Sequence, residues 1–109
     1  MRILGVGVDI VQNKRIKSSI KKKSFVLRIF GKNEIKLSKK NKNTANFFAK
    51  RFAAKESLSK SIGIGLRSNL NFRDIQILND SMGKPYYKKS KKITDIITKK
   101  FKVRDYELF

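Results

Sequence analysis

Two carboxylates in this chain sit in settings that an ordinary surface acid does not need. Asp9 closes the run Gly5-Val6-Gly7-Val8-Asp9, so two glycines precede it, and Glu56 lies inside Arg51-Phe52-Ala53-Ala54-Lys55-Glu56-Ser57-Leu58-Ser59-Lys60 with apolar residues around it. Two such oxygen donors, completed by waters and a ligand phosphate, make a common magnesium site. Lys60 follows Glu56 by one helical turn, within reach of a phosphate bound to that metal. The same spacing also makes an ordinary surface Glu–Lys pair worth about 0.2–0.5 kcal/mol, and residue types alone leave both readings open. The turn Asp80-Ser81-Met82-Gly83-Lys84-Pro85 sets a glycine amide beside an ammonium, which suits a phosphate contact and equally an ordinary hairpin loop. The other acids, Glu34, Asp74, Asp80, Asp95, Asp105 and Glu107, fall at loop or polar helix positions and are expected to be solvated.

The elements that must hold these residues can be read from periodicity. Residues 3–11 alternate as a strand does: Leu4, Val6, Val8 and Ile10 share one face, while Gly5, Gly7 and Asp9 share the other with Ile3 and Val11. The glycines leave room there for a helix or a ligand to approach closely. Asn13 is expected to cap a short helix through Ile20, and Ser24 another that carries Phe25, Ile29 and Phe30 and stops at Gly31. A short polar helix is expected over 34–42. Thr44 opens the longest helix, running to about Ile62 and stopped by Gly63 and Gly65. A rotation of about 100° per residue centres Glu56 on a face of Ala45, Phe48, Ala49, Phe52, Ala53, Lys60 and Gly63, with Phe47, Ala54 and Leu58 opposite. A carboxylate buried there unpaired costs several kcal/mol, so Glu56 requires a cation or a wet cleft. Beyond Leu70 the pattern predicts an extended 72–78, a turn over 79–83 and a second strand at 85–87. Ser90 caps a last helix with Ile93, Ile96, Ile97 and Phe101 along one stripe, and 103–109 reads as the start of a further strand. The sum is one α+β domain over residues 1–109, a small antiparallel sheet packed against a long helix.

Composition bounds the chemistry. At 109 residues and 12.6 kDa there is material for one small core. Twenty-eight Lys and Arg against 8 Asp and Glu give a net charge of +20, which attracts polyanions of any kind. Part of that charge tracks coding composition, since the enriched residues (21 Lys, 13 Ile and 8 Asn) all have AT-rich codons. The lysines come in short, dispersed runs of the sort that usually form solvated faces. Cysteine and histidine are both absent, which excludes disulfides, thiolate nucleophiles, Ser-His-Asp relays and zinc sites built on them. Any metal must be held by oxygen, which favours magnesium or calcium. No apolar run approaches the roughly 18 residues of a membrane span, and the start lacks a secretory h-region, so a cytoplasmic protein with no membrane partner is expected. Length and charge alone would also suit a small basic RNA- or ribosome-binding module. Against it, no aromatic-rich strand offers a stacking platform and Asp9 with Glu56 would have no purpose, so nucleic acid is not the expected partner.

Three blocks in order resemble bacterial holo-acyl-carrier-protein synthases of the 4′-phosphopantetheinyl transferase superfamily. The first is Gly5-Val6-Gly7-Val8-Asp9-Ile10-Val11 with Arg15-Ile16, the second Arg51 to Lys60 with Gly63 and Gly65, and the third Phe72, Asp74-Ile75, Asn79 and Gly83-Lys84-Pro85-Tyr86. The resemblance implies transfer of 4′-phosphopantetheine from coenzyme A to a serine of apo-acyl carrier protein, for fatty acid biosynthesis. It implies Asp9 and Glu56 as magnesium ligands, with the coenzyme A diphosphate completing the shell. Glu56, directly or through a metal-bound water, would help deprotonate the acceptor serine, and Lys60 would stabilise or protonate the departing 3′,5′-ADP. Ser59, Lys60, Gly63, Gly83, Lys84 and Pro85 match positions lining the coenzyme, and Arg15, Phe25 and Arg28 match the docking surface for the acidic carrier protein. Family members are typically homotrimers with active sites at subunit interfaces.

The family's chain normally runs on for two more strands, the first with a Ser-Ile-Ser-His-like motif that helps bind coenzyme A, whereas this sequence ends at Phe109 and holds no histidine. A fragment, a neighbouring subunit filling the gap, or a catalytically dead relative would each fit that departure. The expectation for this chain expressed alone is low stability, because losing a hairpin exposes a sheet edge and apolar surface. Thermal unfolding followed by circular dichroism should therefore lack a cooperative transition above about 50 °C.

Overall fold

The computed structural model describes residues 2–7, 13–63 and 70–109. Five helices and one hairpin follow in order: α1 (Asn13–Ser19), α2 (Lys23–Ile29), α3 (Lys32–Ser38), α4 (Thr44–Ile62), a 3-10 turn (Phe72–Asp74), β1 (Ile77–Asn79), β2 (Pro85–Tyr87) and α5 (Lys91–Phe101). The strands pair antiparallel, Ile77 opposite Tyr87 and Asn79 opposite Pro85. This is the α+β arrangement of a small sheet on a long helix.

Helix α4 is the axle. The Asn43 side chain accepts from the Asn46 amide at its start, and Gly63 ends it in the left-handed conformation at φ 80°. Two apolar clusters flank it. One gathers Leu58, Ile62, Ile75, Ile77, Ile93 and Ile97 between α4, the hairpin and α5. The other gathers Ile16, Ile29, Phe30, Phe47, Phe48 and Ala49 between α4 and the first helices. Ser90 caps α5 by accepting from the Ile93 amide at 3.2 Å, as the sequence predicts.

Where the two clusters meet, the interior is ionic. Glu34 on α3 and Lys55 on α4 are each 0% exposed, with Lys55 Nζ 2.7 Å from Glu34 Oε1. The expectation that Glu34 is a solvated helix acid is therefore wrong. Its Oε1 also accepts from the Gly31 amide at 3.0 Å, and its Oε2 from the Ile77 amide at 3.2 Å. Lys55 donates further to the carbonyls of Phe72, at 2.8 Å, and of Ile75. All three ammonium protons are thus used. Burial pushes the Lys55 pKa down, and the Glu34 charge opposes that.

Three further expectations are corrected. Gly31 does not stop α2 in a left-handed turn; it is extended at φ −74° and forms the N-cap of α3, because the Glu34 carboxylate holds its amide. Ser24 lies inside α2, whose cap is Lys22. Residues 2–7 and 103–109 carry no strand pairing, since no ladder partner stands beside either among the described residues. They instead border a cleft of about 670 Å³ lined by Leu4, Val6, Leu58, Ile97, Phe101 and Leu108. The Lys89 ammonium secures the C-terminal segment, reaching the Tyr106 carbonyl and the Glu107 carboxylate.

Replacing Lys55 with Met strands the Glu34 carboxylate in the interior, and equilibrium denaturation should show a loss of about 3–5 kcal/mol. The double variant Glu34→Gln/Lys55→Met should recover a large part of that loss, because no unpaired charge remains.

Candidate functional site

The expectation that Gly5 and Gly7 admit a close neighbour is met, and the neighbour is α4. A Cβ built on Gly5 would fall 2.0 Å from the Ser61 carbonyl oxygen, and one on Gly7 2.0 Å from that of Ser57. Backbone thus lies on backbone, a contact that glycine alone permits. From Gly5 to Gly7 the segment passes from Ser61 toward Ser57, so it moves along α4 toward Glu56 as the sequence approaches Asp9. Asp9 itself, with Gly65, lies outside the described residues.

Glu56 is half-buried and Lys60 exposed, one turn apart on α4. A step of about 100° per residue sets Glu56 roughly 140° around the helix from Arg51. Arg51 and Lys55 therefore point into the domain while Glu56 and Lys60 point away from it. Glu56 is thus not sealed in the interior, where an unpaired carboxylate would be costly. Among the described residues no three acidic side chains gather into a metal cage.

The hairpin is pinned beside this stretch of α4 by the polar side chains of Arg51 and Tyr87. Arg51, 7% exposed, donates from Nε to the Ile77 carbonyl at 3.2 Å and from Nη2 to Asn79 Oδ1 at 3.0 Å, and its guanidinium stacks 3.8 Å from the Phe47 ring centre. Burial lowers the Arg51 pKa, and Glu34 opposes that shift. The Tyr87 hydroxyl donates to the Ala54 carbonyl at 2.7 Å, and burial pushes its pKa up.

At the tip of the hairpin, Asp80 organises the loop. Its Oδ1 accepts from the amides of Met82 and Lys84 at 2.9 and 2.8 Å, while its carbonyl accepts from Gly83 at 3.0 Å. Gly83 is left-handed at φ 83°, with nothing within 4 Å of a built Cβ. The amides expected to meet a phosphate are therefore engaged within the turn. What the loop presents outward is the exposed Gly83 α-carbon, the Lys84 side chain and Pro85.

The remaining predicted residues divide by exposure. Gly63 is exposed at the helix end, whereas Ser59 is 2% exposed and packs inward. Arg15 on α1 and Arg28 on α2 are exposed. Phe25 is half-buried, its ring stacked on Phe52 at 6.4 Å and angled to Phe30 at 6.5 Å, so most of it serves the core. Sequence reasoning passed over Glu34, Arg51, Lys55 and Tyr87. The spacing of Arg51 and Lys55, four apart on an otherwise apolar helix, is the signal that could have found two of them.

The described fold can be set beside proteins of known sequence and structure. Residues 5–108 match the model of the 4′-phosphopantetheinyl transferase superfamily. The chain is 50% identical over its whole length to a holo-[acyl-carrier-protein] synthase of Pelagibacter ubique, spanning 85% of that protein. It superposes on the crystal structure of the Neisseria meningitidis synthase with a TM-score of 0.82 at 34% identity, over 92% of this chain and 82% of that one. It also superposes on the Bacillus anthracis synthase, solved in complex with CoA (3′,5′-ADP), with a TM-score of 0.73 at 39% identity, over 81% and 76% of the two chains.

Gly7→Ala should force the N-terminal segment off α4. Limited proteolysis within residues 2–7 is expected to accelerate and the denaturation midpoint to fall, by an amount equivalent to about 1–3 kcal/mol. An unchanged cleavage rate would show that the close approach is not made in solution.

Proposed function

Because the chain belongs to the 4′-phosphopantetheinyl transferase superfamily, we propose that it transfers 4′-phosphopantetheine from coenzyme A to a serine of apo-acyl carrier protein, giving holo-carrier for fatty acid biosynthesis. The observation that carries this reading is the division of α4. Its Arg51–Lys60 block faces Arg51 and Lys55 into the fold and leaves Glu56 and Lys60 on the outer side, beside the segment that leads to Asp9. Coenzyme A lies along this side of α4, with Gly63, Gly83, Lys84 and Pro85 at its borders and the buried Ser59 supporting the helix from within.

In the proposed reaction the serine Oγ attacks the phosphorus that carries the pantetheine arm. The phosphorus–oxygen bond to 3′,5′-ADP breaks, and the serine proton passes to the Glu56 carboxylate. Lys60 neutralises the charge that accumulates on the departing 3′,5′-ADP. Phosphoryl transfer asks mainly for positioning and charge neutralisation, to which Glu56 and Lys60 on α4 would contribute together with Asp9. The donor chemistry fits magnesium, since a half-buried carboxylate and a second acid along the chain leave coordination positions for phosphate oxygens and water. Asp9 and Glu56 would hold it, and when bound it would offset the negative charge of the coenzyme A diphosphate.

Arg15 and Arg28, with the edge of Phe25, form the docking surface for the acidic carrier, whose charge complements the net +20 and speeds encounter. A homotrimer of the family's kind would cover exposed apolar surface such as Ile3 (72% exposed) and Val6 (76% exposed). No helix among the described residues is long and apolar enough to cross a membrane. The proposed setting is the cytoplasm, where coenzyme A and carrier protein meet.

Incubating the chain with apo-acyl carrier protein, coenzyme A and magnesium should raise the carrier mass by about 340 Da, the mass of the phosphopantetheine group, in a magnesium-assisted transfer. Glu56→Ala or a chelator should abolish the shift. Retention of full activity by Glu56→Ala would overturn the assignment.

A further inference from the structure

A second cleft, of about 860 Å³, opens between α2 and the 3-10 turn, on the side where Arg28 emerges. Its cationic lining comes from three separate elements: Arg28 on α2, Lys32 at the start of α3 and Arg73 in the 3-10 turn, all exposed. One acid, Asp74, shares the wall, and its carboxylate is already engaged by Lys92 at 2.9 Å and by the Asn71 amide at 2.7 Å. Among the described residues none of the three cations has an ion-pair partner. The cleft is therefore a local excess of positive charge in a concave setting, where field lines are focused rather than spread over a convex face.

Two further features narrow the ligand class. Ile29 and Phe72 line the same cleft and Leu27, 44% exposed, stands at its edge, so a purely ionic ligand would leave apolar contact unused. Gln76 also lines it, packed against Gly31, and Gln76 Oε1 is buried without a hydrogen-bond partner among the described residues. A buried acceptor without a donor is costly, so a ligand that brings an N–H would be favoured at this wall. A phosphate backbone supplies negative charge but no donor. A polypeptide segment with acidic side chains supplies carboxylates, amide N–H groups and aliphatic surface together.

We propose that this cleft is a docking groove for an acidic polypeptide segment, with Lys32 and Arg73 extending the surface that begins at Arg28. The inference rests on the carrier-protein reading and adds to it that the carrier's contact runs off α2, across the cleft, onto the 3-10 turn. The ring row Phe25–Phe52–Phe72 makes that path continuous: Phe52 stacks on Phe25 at 6.4 Å and on Phe72 at 5.2 Å, joining α2 to the turn through α4. Lys32 and Arg73 act in recognition and are remote from the reacting phosphorus.

The test uses fluorescein-labelled apo-acyl carrier protein as the probe, followed by anisotropy, together with transfer kinetics. Lys32→Ala/Arg73→Ala should raise the Kd and the KM for the carrier about tenfold, the equivalent of losing two partly desolvated ion pairs, while kcat and the KM for coenzyme A stay unchanged. The control Lys91→Ala/Lys99→Ala removes the same charge from exposed sites on α5 and should leave both values within about twofold, since isolated rim charges contribute little. Equal weakening by the two double variants would reduce the effect to bulk charge and overturn the groove. So would carrier binding unaffected by Lys32→Ala/Arg73→Ala, or a loss confined to a labelled single-stranded RNA of similar length. Failure of the underlying reading shows differently, as no mass transfer to the carrier by the unsubstituted chain. The groove is then upheld by weakened carrier binding in the cleft variant alone and refuted by its absence.

Discussion

Glu34 and Lys55 together set how the halves of this molecule meet. A buried ion pair gains much from mutual attraction in a poorly polarisable interior but carries a desolvation cost that can exceed it, so it persists only when every remaining lone pair and proton is also satisfied. Here the satisfaction is complete on the ammonium side, with Glu34 Oε1 and the carbonyls of Phe72 and Ile75 as acceptors. On the carboxylate side, the Gly31 and Ile77 amides are held as well. With Lys55 itself, those six residues come from the α3 N-cap, α3, α4, the start and C-cap of the 3-10 turn, and β1. The Phe30 ring of one apolar cluster lies 5.4 Å from the ammonium, while Ile75 and Ile77 belong to the other. The pair therefore fixes the angle at which the N-terminal helices and the hairpin meet across α4, a setting that apolar contacts alone would leave looser.

With that joint fixed, the rest of α4 can be allotted by rotation. Its inward stripe carries Phe47, Arg51, Lys55, Leu58 and Ile62. A second flank, at Ser57 and Ser61, receives the bare backbone of Gly5 and Gly7. The outer flank keeps Glu56 and Lys60. Arg51 and Tyr87 then tie the hairpin to the helix within about a turn and a half of Glu56, so the loop that presents Lys84 has a fixed root. Asp80 fixes its tip by holding the amides of Met82 and Lys84. The hairpin is thus anchored to α4 by polar contacts and residues 2–7 by close backbone packing, which is how a small core can hold side chains to useful tolerance.

What the sequence makes legible follows from the range of the forces involved. The long helix from Thr44 to Ile62, its left-handed stop at Gly63 and the Ser90 cap rest on local rules, and the structure matches them. The hairpin is placed correctly, although part of the extended stretch before it is a 3-10 turn capped by Asp74. Glu34 was misread because its partner is 21 residues away, and no periodicity links a polar helix position to a lysine on another element. Gly31 was misread for the same reason, since the carboxylate that holds its amide is what makes it a start and not a stop. Residues 2–7 show alternation without a ladder: period two reports a two-faced extended segment, and pairing needs a neighbour that the pattern cannot name. The site assignment rests on family resemblance more than on spacing, because an i, i+4 Glu–Lys pair is common on any helix.

The ten residues from Arg51 to Lys60 carry two kinds of side chain on one helix. Arg51 and Lys55 are required by the fold: each is buried, and each donates to carbonyls of the 3-10 turn or the hairpin. Glu56 is half-buried and Lys60 exposed, so neither lies wholly in the interior as Lys55 does. Adjacent residues on an α-helix differ by about 100° in direction, so Lys55 and Glu56 can serve the interior and the outer flank without competing for space. The two nevertheless share a backbone. Whatever fixes the rotation of Lys55 fixes that of Glu56 as well, and the buried ion pair thereby sets the direction in which the Glu56 carboxylate leaves the helix.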